Sequence, residues 1–192
     1  IPLGYFEAFL HSMAMDLTVT RYATFNDLHE YVYGSAAVIG LQMVHVLGTI
    51  SDRQKALDAA EKLGVAFQLA NFIRDIGEDL DRGRIYLPLQ ELEDFGVDES
   101  MLLKGKVTPE IVSALKFQIS RVRTLQAESK AGIALLPANV RPCIEAASEL
   151  YCGIVDEVEK IEYQVFTKRA KTSKLRRMSV ALPAWLRALA AR

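Results

Sequence analysis

The segment Leu63–Leu80 constrains this 192-residue chain more than any other. Plotted at about 100° per residue with Gln68 at the origin, Asn71 falls near 300°, Asp75 near 340° and Asp79 near 20°, so four polar groups share a stripe about 80° wide. Val65, Leu69, Phe72, Ile73, Ile76 and Leu80 fill the adjoining arc, and Ala66, Ala70 and Gly77 the next. A surface helix is polar over much of its circumference. This one is apolar or small over most of it, so other elements must surround it while the polar stripe faces an internal space.

The remainder of the chain can supply those elements. Only 6 prolines and 11 glycines interrupt it, 51% of the residues are hydrophobic, and no run alternates with period two, so the fold class is all-α. A first helix is expected over Tyr5–Leu17 with an apolar face at Phe6, Phe9, Leu10 and Met13. Thr24–Asp27 reads as a capping box opening a helix to about Leu47. Ser51 or Asp52 caps the next, to about Leu80. Short turns of helix are expected at Leu89–Asp94 and Glu99–Leu103. Thr108-Pro109 opens a helix to about Leu135, another covers Pro142–Ile161, and Pro183 is expected to interrupt a basic tail from Lys168 to Arg192. Residues 1–192 read as one helical domain.

Composition removes several function classes. Lys plus Arg total 23 against 24 Asp plus Glu, a net charge of -1, which gives no global basis for nucleic-acid binding. Cys143 and Cys152, nine residues apart in one helical stretch, would lie roughly 13 Å apart on opposite faces, too far for a disulfide. A reducing, cytoplasmic setting follows. The longest apolar run, Ser35–Ile50, is shorter than the roughly 20 residues a membrane-spanning helix needs.

The stripe itself points to chemistry. Buried carboxylates are costly unless paired or metal-bound. Asp75 and Asp79, one turn apart, can share a hard divalent cation, and the amide oxygen of Asn71 can complete the set. Mg²⁺ takes one or two carboxylates together with substrate phosphates. Arg74, Arg82 and Arg84 add charge suited to phosphate. A solvated helix end would explain the acidic cluster alone, but not its continuation back to Gln68 through apolar sequence.

Gln68-x-x-Asn71-x-x-Arg74-Asp75-x-x-Glu78-Asp79, followed by Arg82-Gly83-Arg84-Ile85-Tyr86-Leu87-Pro88, resembles the second aspartate-rich motif of the squalene/phytoene synthase family. Met15-Asp16 with Arg21-Tyr22, Tyr31 leading to Ala36 and Gly40, Tyr151-x-x-Ile154 with Asp156-Glu157, and Tyr163-x-x-Phe166 leading to Arg169 fit the same pattern in order. Ser35-Ala36-Ala37 and Ala70 depart from it modestly. The run Gly77–Arg84 looks most like bacterial phytoene synthases, which join two geranylgeranyl diphosphates head to head. Squalene and dehydrosqualene synthases do the same with farnesyl diphosphate.

The resemblance implies an isoprenoid-synthase-type helical bundle around a central cavity and an Mg-dependent prenyltransferase. Mg²⁺, with Mn²⁺ as a substitute, would be held by Asn71, Asp75 and Asp79. A prenyl diphosphate would be contacted by Gln68, Arg74, Tyr151, Arg169 and Tyr31, with Asp75, Asp79 and Arg74 catalytic. NADPH is not expected for phytoene formation, which ends in proton loss. The family's earlier aspartate-rich motif has no counterpart in residues 1–192, so the N-terminal helices carrying it are expected outside this chain, which alone would be inactive. A non-catalytic helical relative acting in assembly is the alternative of another class. Tyr31 could line the cavity or simply pack, and the small residues Gly34–Ala37 could make room for a prenyl chain or for a neighbouring helix. The basic tail suits either an anionic membrane surface, placing the protein at the inner face, or a solvated helix. His11, His29 and His45 are given no role, and the oligomeric state is not defined.

Overall fold

The computed structural model describes residues 1–191, which leaves Arg192 of the basic tail outside the described residues. Ten α-helices follow one another: α1 Leu3–Met15, α2 Phe25–Val32, α3 Val38–Leu47, α4 Arg53–Asp81, α5 Leu89–Glu93, α6 Glu99–Leu103, α7 Pro109–Ile133, α8 Arg141–Cys152, α9 Ile154–Lys160 and α10 Lys174–Ala190. Among the described residues, β structure is limited to one parallel bridge, Arg21 with Ile85. The all-α expectation holds.

Local chemistry sets most of the helix starts. The Thr24 hydroxyl accepts from the Asp27 amide while the Asp27 carboxylate accepts from the Thr24 amide, closing the anticipated capping box. Asp52 caps α4 through the Lys55 amide, Asp98 caps α6, and Thr108 with Pro109 opens α7. The helix begun at Phe25 reaches Leu47 as expected, but Tyr33–Ala37 between α2 and α3 winds as a π-helix, a local widening that often accompanies a functional site.

α4 is the central element. From Glu61 to Leu80 every residue is buried or half-buried, as its apolar circumference required. α3, α7, α8 and α9 pack around it. The α3 side comes very close: a Cβ on Gly64 would stand 2.8 Å from the Ala36 carbonyl oxygen and 2.9 Å from the Ala37 Cα. Gly34 and Ala37 thus serve packing, whereas Ser35 and Ala36 face the cavity described below.

Three expectations are corrected. Phe6 and Leu10 of α1 are exposed, and it is Ser12 that is fully buried. A Cβ on Gly34 would fall 2.1 Å from the Ala8 carbonyl oxygen, so α1 turns its small-residue side inward to let the backbones approach. The stretch Pro142–Ile161 is two helices, α8 and α9, parted at Gly153, where glycine's low helix propensity lets the chain redirect Ile154, Val155 and Val158 into the core. Pro183 lies inside α10 without ending it. The helix is held on both sides of the proline by burial of Val180 and Ala184 and by the pairs Arg176–Glu149 at 2.5 Å and Arg187–Glu145 at 2.9 Å.

Candidate active site

An apolar cavity of about 340 Å³ runs between α3, α4, α7 and α8. Its walls are mainly aliphatic side chains and small residues, among them Gly40, Ala56, Ala60, Leu63, Gly132 and Leu136. Along α4 it extends from Ala56 to Asn71, about 22 Å at 1.5 Å per residue. Phe67 and Tyr151 stack at the Asn71 end, ring centroids 4.8 Å apart. The Asn71 Oδ1 and Ser35 Oγ atoms are buried there without hydrogen-bond partners in the protein, an arrangement that costs free energy unless a water or a ligand satisfies it.

Polarity rises beyond Asn71. Arg74 donates to Asp75 through Nε at 2.8 Å and Nη2 at 2.5 Å, and Arg169 Nε donates to the same carboxylate at 2.9 Å. Burial alone would raise the Asp75 pKa, but the two guanidinium groups more than offset it and hold the carboxyl below its ordinary value. Asp79 lacks such support. It is 9% exposed, its nearest cation is Arg82 at 3.9 Å, and burial together with the Asp75 charge pushes its pKa up to about 6.

The chain after α4 folds back over this end. The Arg84 amide donates to the Asp79 carbonyl at 2.8 Å and the Ile85 amide to Thr20 at 3.0 Å. Arg84 then reaches the Asp16 carbonyl at 2.9 Å and the Tyr86 hydroxyl at 3.2 Å. Tyr86 stacks flat on Phe72, centroids 4.1 Å apart.

Tyr31 joins that aromatic group and is 4% exposed. Its hydroxyl donates to Asp16 at 3.2 Å, and it is not among the cavity-lining residues. Gln68 is half-buried on α4. Asn71, Asp75, Tyr151 and Arg169 come together as anticipated, and Asp79 lies one turn further along.

A second cleft, of about 430 Å³, abuts the cavity at Tyr151, with Arg74, Arg169, Lys171 and Arg177 in its lining and no acidic side chain. Lys171 and Arg177 were not anticipated as site residues. The signal was present in the complete absence of Asp and Glu from residues 168–191.

Gly77 permits the approach of this segment, since a Cβ there would stand 2.8 Å from both the Val165 and Phe166 carbonyl oxygens. Gly77→Ala is expected to displace the 165–166 turn and to cost about 1–3 kcal/mol, read by denaturant unfolding. Arg169→Ala, at a side chain 42% exposed, should leave the midpoint within about 0.5 kcal/mol.

Among the described residues no three His, Cys, Asp or Glu side chains converge as a metal site. The oxygen set at hand is two carboxylates and the Asn71 amide.

Residues 1–176 match the Squalene/phytoene synthase family model. The chain belongs to that family. Among squalene/phytoene synthase family relatives, the chloroplastic phytoene synthase of Narcissus pseudonarcissus is 40% identical over 182 residues, covering 93% of this chain and 43% of the relative. The phytoene synthase of Arthrospira platensis is 38% identical over 194 residues, covering 95% of this chain and 63% of that protein. The crystal structure of a dehydrosqualene synthase in complex with ligand superposes with a TM-score of 0.88 at 28% identity, covering 96% of this chain and 64% of that one. The chain spans about half the length of the curated plant relatives it matches. The helical-bundle fold expected from the family is the fold observed.

Proposed function

We propose that the protein carrying this chain is a phytoene synthase, joining two geranylgeranyl diphosphates head to head through a cyclopropyl diphosphate and releasing diphosphate. The observation that carries the proposal is the junction at Asn71 and Tyr151. There a long apolar cavity fit for a prenyl chain meets an acidic stripe and a cleft lined by four cations.

Asn71, Asp75 and Asp79 are the groups that would hold Mg²⁺, or Mn²⁺ in its place. The unpartnered Asn71 oxygen and the raised pKa of Asp79 both favour a cation at this stripe. When bound, the metal supplies Lewis-acid withdrawal of charge from a leaving diphosphate. The chain's own residues do the rest. Arg74 and Arg169, already oriented by Asp75, present N–H donors to phosphate oxygens, and Gln68 offers an amide on the same helix face. The aliphatic walls exclude water from the carbocation left when the allylic C–O bond breaks. Phe67 and Tyr151 add aromatic faces beside it, which attract positive charge. NADPH has no part in a sequence ending in proton loss.

Residues 1–192 act in this reading as one helical domain. No helix among the described residues is long and apolar enough to cross a membrane. We place the protein in the cytoplasm on the ground that Cys143 and Cys152 are free thiols, although several relatives are named chloroplastic.

Lys171→Ala with Arg177→Ala is expected to raise KM for the prenyl diphosphate about tenfold while changing kcat little, because these groups bind phosphate before and after ionisation alike. Steady-state kinetics of the two variants checks this.

The deciding experiment incubates the full-length protein that carries this chain with equal geranylgeranyl and farnesyl diphosphates and Mg²⁺, with and without NADPH, and identifies products by mass. A forty-carbon product formed without NADPH is expected. A thirty-carbon product would move the substrate to farnesyl diphosphate, and NADPH dependence would then separate squalene from dehydrosqualene. Absence of any product from the full-length protein, together with the lack of an upstream aspartate-rich motif, would favour a non-catalytic role.

A further inference from the structure

Buried carboxylates are ordinarily paired, and Asp75 follows that rule with Arg74 and Arg169 as partners. Asp79 does not. It is 9% exposed, and its only ion pair among the described residues is a long one, 3.9 Å to Arg82, whose side chain is 66% exposed. Asp79 is therefore the carboxylate of the stripe left open to a cation. A second guanidinium stands beside it nonetheless. The Arg84 amide donates to the Asp79 carbonyl at 2.8 Å, and the two side chains line one void of about 10 Å³, scarcely room for a water. Burial and the Asp75 charge raise the Asp79 pKa, and the charges of Arg82 and Arg84 are near enough to oppose them.

Arg84 is drawn the other way. Its Nη2 donates to the Asp16 carbonyl at 2.9 Å, while its Nη1 lies 3.5 Å from the Asp16 carboxylate and donates to the Tyr86 hydroxyl at 3.2 Å. Asp16 ends α1 and is held in turn by the Tyr31 hydroxyl, which donates to it at 3.2 Å. The Asp16 and Arg84 side chains are 25% and 30% exposed, so water screens their attraction only in part. Two carboxylates, Asp16 and Asp79, thus compete for one guanidinium, and Asp16 has it.

We infer that Asp16 is a positioning residue for the metal stripe: its carboxylate keeps the Arg84 guanidinium turned away from Asp79 and so reserves Asp79 for a cation. The inference rests on the proposed reading of Asn71, Asp75 and Asp79 as the metal-holding set. Asp16→Asn keeps the shape, the backbone carbonyl and an acceptor for Tyr31, and removes only the charge. Asp79 then becomes the strongest acceptor bordering Arg84, because hydrogen bonds between ionised groups are roughly twice as strong as neutral ones. A guanidinium on Asp79 would occupy its oxygens and set a positive charge where the metal must enter.

Mn²⁺ binding to the full-length protein that carries this chain is followed from the paramagnetic resonance of the free ion, with no prenyl diphosphate present. The binding counted is that which Asp79→Asn removes. Asp16→Asn should weaken it about tenfold or more, with unchanged helical circular dichroism. In an Arg84→Gln background the same substitution should change the affinity less than about twofold, because the competing guanidinium is gone and the two positions no longer couple. Equal losses in the two backgrounds overturn the inference, since Asp16 would then act through its own charge or through the fold. So does undiminished binding by Asp16→Asn. If Asp79→Asn removes no Mn²⁺ binding, the reading of the stripe fails and this inference with it, an outcome distinct from the other two.

Discussion

Asp79→Asn is expected to stabilise the fold and to cut turnover severely in the same protein. The Asp79 carboxyl is nearly buried, beside Asp75, with a pKa of about 6. Its ordinary value is 3.8, so between those two values the folded state holds a proton that the unfolded chain releases. Stability therefore falls as pH rises through this window, and the loss is complete above it. A shift of this size corresponds to about 3 kcal/mol. Asparagine keeps the shape without the charge, so the variant should match the parent near pH 4 and exceed its stability by about 2–3 kcal/mol near pH 8. Denaturant unfolding across pH in metal-free buffer measures the difference, and parallel curves for the two proteins would refute the assignment. Under the proposed reaction the same charge serves to hold metal against diphosphate. Turnover should then drop about 10²-fold or more, and Mg²⁺ with inorganic diphosphate should raise the melting temperature of the parent but not of the variant.

Ala60→Phe is expected to exchange one substrate preference for another. Ala60 lines the apolar cavity from α4, opposite Gly40. From Asn71 to Ala60 the helix rises about 16 Å, against about 22 Å to Ala56 at the far end. A phenyl ring at position 60 would close the last part of the cavity and leave the polar end unaltered. Competition between geranylgeranyl and farnesyl diphosphates should shift toward the shorter chain by about tenfold to a hundredfold in kcat/KM. Because α3 approaches closely at this point, with a Cβ on Gly40 placed 2.5 Å from the Ala60 carbonyl oxygen, the substitution should also cost about 1–3 kcal/mol, which denaturant unfolding separates from the change in preference. An unchanged preference at an unchanged rate would show that the prenyl chain lies elsewhere.

What the sequence disclosed was whatever depends on neighbours along the chain. Thr24, Asp52 and Thr108 cap helices through amides three residues away, a chemistry complete within one turn. The stripe Asn71–Asp75–Asp79 is fixed by helical pitch alone. Burial of α4 followed from its composition, because no arrangement in water accommodates an apolar circumference.

Tertiary structure decided which face each peripheral helix turns inward and which distant residues meet. α1 buries Ser12 and leaves Leu10 in solvent because Gly34 allows a backbone approach that a large side chain would prevent. α10 survives Pro183 because α8 holds it on both sides of the proline. Arg169 meets Asp75 across 94 residues because Gly77 has no side chain to keep the 165–166 turn away. Pitch and capping act within a few residues and can be read along the chain. Close approach is a property of pairs of surfaces, and neither surface carries the identity of its partner.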